Sequence, residues 1–118
     1  MKQALATALQ TRGFETLTQV QKAVTDPDLG TSDLLVSAQT GSGKTVGFGL
    51  ALGPTLLGEE ELFDPAGKPL ALVIAPTREL AMQVMRELSW LYAKANAQVT
   101  SCVGGMDMRD ERRALGRG

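Results

Sequence analysis

The chain has 118 residues, 43% of them hydrophobic and 21% charged, with a net charge of -1. That is the length of one domain or part of one, with enough apolar content for a soluble core and no bulk charge advertising nucleic acid, so any such surface must be local. Cys102 is the only cysteine, which excludes an internal disulfide, and the absence of histidine excludes imidazole acid–base chemistry and His-ligated metal sites.

In chain order, Leu5, Ala8 and Leu9 recur at helical spacing up to Arg12, and Gly13 predicts the helix stop. A second short helix is expected from Thr18 to just before Asp26-Pro27, and Thr18-x-x-Gln21 reads as a capping box. Residues 26–33 carry Asp, Pro, Gly and Ser, the composition of a loop. Leu34–Ala38 predicts a buried strand and a helix runs on from Gly43, although Gly47 and Gly49 inside it each cost about 1 kcal/mol relative to alanine. Gly58–Pro69 predicts a loop whose Glu59-Glu60-Glu61 run reads as solvated surface.

Leu70–Ala75 is apolar throughout, like a strand covered on both faces, and the helix after it places Leu80, Val84, Leu88 and Leu91 on one stripe, with Trp90 and Tyr92 expected to pack or half-expose there rather than stack bases. Val99–Val103 predicts a third strand containing a buried Cys102, and 107–117 a helix. Strands alternating with helices predict an α/β fold with a parallel sheet. The longest apolar stretch, Val46–Leu57, is broken by glycines and Pro54 and is too short for a bilayer, and the N-terminus lacks the apolar run of a secretion signal. The expected location is the cytoplasm, with no membrane partner.

Ala38-Gln39-Thr40-Gly41-Ser42-Gly43-Lys44-Thr45 directly follows the first expected strand. A strand, a glycine-rich turn and a helix start bring backbone N–H groups together at the positive end of a helix, which attracts a phosphate chain. Lys44 adds a charge for the β/γ-phosphates, and the Thr45 hydroxyl suits Mg²⁺. This points to nucleotide binding and leaves the reaction open.

Upstream lies Gly13-Phe14-Glu15-Thr16-Leu17-Thr18-Gln19-Val20-Gln21, and downstream Ala75-Pro76-Thr77-Arg78-Glu79-Leu80. With the loop between them, these segments make the chain resemble the DEAD-box ATP-dependent RNA helicases from Phe14 to Gly105. Leu17 and Gln19 stand where that family carries prolines, and Ala38 replaces the glycine of the strict phosphate-loop pattern. The resemblance implies a RecA-like P-loop domain with helices on both faces of its sheet. It implies that Phe14 and Gln21 serve the adenine of ATP, that residues 38–45 serve the phosphates and Mg²⁺, and that Lys44 and Thr45 act in catalysis. It further implies that Pro76, Thr77, Arg78, Gly104 and Gly105 contact the backbone of single-stranded or short duplex RNA. A glutamine amide matches adenine N6–H and N7, yet the same amide serves the capping box. The expectation is therefore that Gln21 caps when the site is empty and turns to adenine when it is filled.

No Asp-Glu-Ala-Asp run occurs, and Asp110-Glu111 follows no apolar strand. Residues 1–118 are thus expected to be the N-terminal portion of the first RecA-like domain, lacking that motif and the second domain. The sheet is expected to be incomplete, and the chain prone to self-association through exposed sheet edges. The alternatives left open are a non-catalytic nucleotide- or RNA-binding module, and another P-loop ATPase or small-molecule kinase.

Overall fold

The computed structural model describes residues 2–14, 16–29, 32–37, 43–64 and 67–102. Helix α1 (Gln3–Thr11) buries Ala4, Leu5, Ala8 and Leu9 along one stripe. Its end is a Schellman motif: Gly13 adopts φ 83°, its N–H donates to the Gln10 carbonyl, and the Phe14 N–H donates to the Leu9 carbonyl at 3.0 Å. At the opposite end the Gln3 N–H donates to Glu61 Oε2 at 2.9 Å. Glu61, expected as solvated surface, therefore places a carboxylate on the orphan N–H groups and positive dipole end of α1.

Helix α2 (Gln19–Val24) opens with the expected capping box. The loop after it contains a 3-10 turn at Pro27–Leu29. Helix α3 (Lys44–Leu57) is apolar on most sides and includes Pro54, and it ends at Gly58, whose φ is 58°. Helix α4 (Arg78–Leu91) starts at Thr77, whose hydroxyl accepts the Leu80 N–H at 3.1 Å. On the expected α4 stripe Val84 and Leu91 are buried and Leu88 packs on the core, while Leu80 stays exposed. A 3-10 turn at Ala93–Ala95 closes α4, and its Ala95 carbonyl accepts the Phe63 N–H at 2.9 Å, drawing the loop after α3 onto the core.

The core joins α1 (Leu5, Leu9), α3 (Val46, Leu50) and the end of α4 (Leu91, Tyr92). The α3 glycines, unfavourable for an isolated helix, are where its neighbours come close. A Cβ on Gly49 would lie 2.7 Å from Leu91 Cδ2, and one on Gly53 would lie 2.7 Å from Leu5 Cδ1. The packing gained there offsets the propensity cost that the sequence carries. The buried Tyr92 hydroxyl donates to the Gly49 carbonyl at 2.6 Å, and burial pushes its pKa from 10.0 up to about 12.

The strands expected at 34–38, 70–75 and 99–103 are not formed among the described residues. No backbone hydrogen bond among those residues joins one of these runs to another. A strand is stabilised by its ladder and by cover on its faces, and a run with neither is apolar sequence without sheet. Leu35, Leu72 and Ile74 are accordingly 100%, 85% and 85% exposed. Cys102, expected to be buried in the third strand, is exposed for the same reason. Ala38 and Val103, together with the helix expected over 107–117, lie outside the described residues. Among the described residues no helix is long and apolar enough to cross a membrane.

Gly53→Ala is expected to destabilise the chain by about 1–3 kcal/mol in urea titrations despite alanine's better helix propensity, because the added methyl overpacks against Leu5. Tyr92 yields a pH prediction whose sign follows from its raised pKa. The unfolded chain loses this proton near pH 10, whereas the folded chain holds it to about 12. Its contribution is complete below pH 10 and lost as pH rises through 12, a fall on the order of 3 kcal/mol. A Tyr92→Phe chain should lack that step in its stability–pH curve.

Candidate nucleotide and nucleic-acid site

Gln21 lies on the first turn of α2 and is completely buried. Its side-chain oxygen accepts the Thr18 N–H at 3.0 Å, its backbone N–H donates to Thr18 Oγ1 at 3.2 Å, and its Nε2 donates to the Gly43 carbonyl at 3.2 Å. The Gln21 carbonyl accepts the Thr25 hydroxyl at 2.8 Å, so the residue is tied at both ends. The Nε2 bond crosses 22 residues of sequence and fastens the start of α2 to the residue before α3.

Gly43 sits at φ 84° and ψ 27°, the left-handed region, and its carbonyl also accepts the Gly47 N–H at 2.9 Å. Only glycine fits here, because positive φ is strained for other residues and a Cβ would collide with Gln21 Nε2. Lys44 and Thr45 follow in the first turn of α3 and are half-buried. That turn presents N–H groups without intrahelical partners, at the positive end of the helix dipole. The structure thus brings Gln21 and Gly43 together and sets Lys44 and Thr45 beside them in the chain. Ala38, Gln39, Thr40, Gly41 and Ser42 lie outside the described residues.

Phe14 makes a different contact. Its ring stacks on Trp90 with centroids 5.6 Å apart and planes 15° apart, and the Arg12 guanidinium lies 4.9 Å from the Trp90 ring centroid. Pro76, Thr77 and Arg78 are exposed at the N-terminus of α4, which Thr77 caps. Gly104 and Gly105 lie outside the described residues. Among the described residues no group of three or more His, Cys, Asp or Glu side chains is placed to hold a metal. Sequence reasoning named Gln21 and Gly43 but not the bond between them, and it missed the Arg12–Trp90–Phe14 stack and the Tyr92 hydroxyl bond. No local pattern signals contacts of such long sequence separation.

Residues 18–118 match the family model described as DEAD/DEAH box helicase. The DEAD-box ATP-dependent RNA helicase 9 of Oryza sativa subsp. japonica is 36% identical over 114 residues, covering 97% of this chain and 18% of that protein. Eukaryotic initiation factor 4A of Caenorhabditis elegans is 35% identical over 118 residues, covering all of this chain and 28% of that protein. The crystal structure of the RNA helicase Prp28 from Chaetomium thermophilum bound to ADP superposes with a TM-score of 0.82 at 34% identity, covering 98% of this chain and 28% of that one. A hypothetical ATP-dependent RNA helicase from Sulfolobus tokodaii gives a TM-score of 0.81 at 25% identity, over 99% of this chain and 32% of that one. The fold is that of these RecA-like proteins, and the chain spans less than a third of the length of each relative named.

Gln21→Ala is expected to cost about 2–4 kcal/mol, since it empties a buried site and strands the Thr18 N–H. Gln21→Glu is expected to cost at least as much at pH 7, because a carboxylate oxygen then opposes the Gly43 carbonyl where an N–H donated. Urea denaturation followed by far-ultraviolet circular dichroism measures both. A loss below about 0.5 kcal/mol in either variant contradicts the reading of this amide as a structural tie.

Proposed function

The chain belongs to the DEAD/DEAH box helicase family, and on that basis we propose that it is part of an ATP-dependent RNA helicase, with residues 1–118 forming the N-terminal portion of the first RecA-like domain. The observation that carries the nucleotide reading is the hydrogen bond from Gln21 Nε2 to the Gly43 carbonyl. It ties the glutamine assigned to adenine to the last glycine before the lysine assigned to phosphate. In this reading residues 38–45 wrap the phosphates, Lys44 faces the β/γ-phosphates, and the Thr45 hydroxyl supplies one oxygen to Mg²⁺, which neutralises phosphate charge when bound. Phe14, 38% exposed and stacked on Trp90, is assigned to the adenine beside Gln21.

The α4 start serves RNA. Exposed Arg78 and the first-turn N–H groups after Thr77 suit a backbone phosphate, a contact that fixes position and carries no base sequence. Gly104 and Gly105 are proposed to lie along the same backbone. The runs at 34–38, 70–75 and 99–103 are proposed as strands of a parallel sheet with helices on both faces, which covers Leu35, Leu72 and Ile74. Self-association is the alternative cover for these side chains.

Phosphoryl transfer is positioning and charge stabilisation, and these 118 residues contain neither an Asp-Glu-Ala-Asp run to place the attacking water nor a Ser-Ala-Thr run. Binding without turnover is thus the activity proposed for this chain by itself.

The chain is expected to bind a fluorescent ATP analogue in the presence of Mg²⁺ more tightly than the matching GTP analogue, as read by fluorescence anisotropy. Lys44→Ala is expected to weaken that binding tenfold or more, about 1.4 kcal/mol. Equal affinity for the two analogues removes the adenine role of Gln21, and an unchanged affinity in Lys44→Ala removes the phosphate role of the loop. RNA-stimulated phosphate release by this chain alone overturns the assignment of binding without turnover.

A further inference from the structure

The helix that begins at the phosphate lysine and the helix that begins at the RNA-contact motif are fastened to each other at one buried point. Tyr92, the C-cap of α4, donates its hydroxyl to the Gly49 carbonyl of α3 at 2.6 Å and is only 4% exposed. The same residue of α3 is where α4 comes closest: the missing Cβ of Gly49 leaves room for Leu91 Cδ2 and Leu88 Cδ2, which would lie 2.7 and 3.0 Å from it. Phe63, from the loop after α3, stacks on the Tyr92 ring at 6.1 Å between centroids.

We propose that Tyr92 is a positioning residue that locks the phosphate-loop helix α3 to the RNA-motif helix α4, so that nucleotide and RNA are sensed by one rigid unit. The inference rests on the assignment of Lys44 and Thr45 to ATP and of Thr77 and Arg78 to RNA. The geometry supplies the linkage. From Arg78 to Leu91, α4 is a rod about 21 Å long at 1.5 Å per residue, with the RNA motif at one end and the Tyr92 clamp at the other. From the clamp, Gly49 is about 7.5 Å along α3 from Lys44. Helix α4 contains no proline, and Pro54 of α3 lies beyond Gly49 from Lys44, so displacement of one end of α4 is carried to Gly49 and on to the first turn of α3. A coupling of this kind is reciprocal: RNA changes ATP affinity by the same factor as ATP changes RNA affinity.

Two variants loosen the clamp by different routes. Tyr92→Phe removes the hydroxyl and keeps the ring, whereas Gly49→Ala keeps the hydroxyl and pushes Leu91 and Leu88 away. The first measurement is amide hydrogen exchange on the chain without ligand. Tyr92→Phe is expected to lower protection of α3 amides about fivefold to tenfold, the effect of one net hydrogen bond, while α1 and α2 change less than twofold. Uniform loss across all four helices means Tyr92 contributes only to global stability and overturns the proposal. The second measurement is the affinity of the ATP analogue with and without a ten-nucleotide oligouridylate. Both variants are expected to keep each separate affinity within about twofold and to bring the coupling factor close to one. A wild-type coupling factor retained in both variants overturns the proposal. If the wild-type chain binds neither ligand, the binding proposed for this chain by itself fails, and the exchange pattern still decides whether Tyr92 positions α3.

Discussion

The organisation of this molecule depends on close approach to the backbone of α3. Successive helical residues advance by about 100°, so Gly49 and Gly53 face one side of α3 while Gly47 faces nearly the opposite one. Val20 and Val24 of α2 come to ordinary contact distance of a Gly47 Cβ, and Leu91 and Leu5 come closer still at Gly49 and Gly53. The helix is therefore gripped from two sides, which is why it is apolar around most of its circumference and lacks the polar face of a surface helix. A helix held on both sides has little freedom to tilt, and the direction in which Lys44 and Thr45 leave its N-terminus is set by α1, α2 and α4 together.

That constraint explains which features were readable from the sequence. Capping is local chemistry, so the Thr18–Gln21 box and the Gly13 stop appear where three or four residues of pattern place them. Of the loop glycines, Gly43 lies among the described residues and takes the left-handed conformation. Gly47 and Gly49 looked like defects, because propensity describes a helix in water and not one whose neighbours need its missing side chains. The carboxylate of Glu61 on α1 and the Tyr92 hydroxyl on Gly49 span 58 and 43 residues, beyond the reach of any periodicity.

The apolar runs mark the other boundary of legibility. Leu70–Ala75 announces a wish for cover and says nothing about who provides it. Helices satisfy their own backbone hydrogen bonds, so four of them form and pack among the described residues on local signals. A strand needs a neighbour for every N–H and C=O, and among the described residues these runs have none. The difference between the two classes of element follows from where each finds its hydrogen bonds.

Gln21 shows how a structure can change a question posed by sequence. The capping and adenine roles were framed as rivals for one amide. An amide oxygen has two lone pairs and an amide nitrogen two hydrogens. The Thr18 N–H occupies one lone pair and the Gly43 carbonyl one hydrogen, which leaves one acceptor and one donor site, the pair that an adenine edge requires. Capacity is therefore sufficient for both roles without a rotamer change. Access is the obstacle, because the side chain is completely buried. Were Gln21 to read adenine as proposed, the side chain would have to be uncovered, and its Nε2 bond to the Gly43 carbonyl ties any such movement to the start of α3.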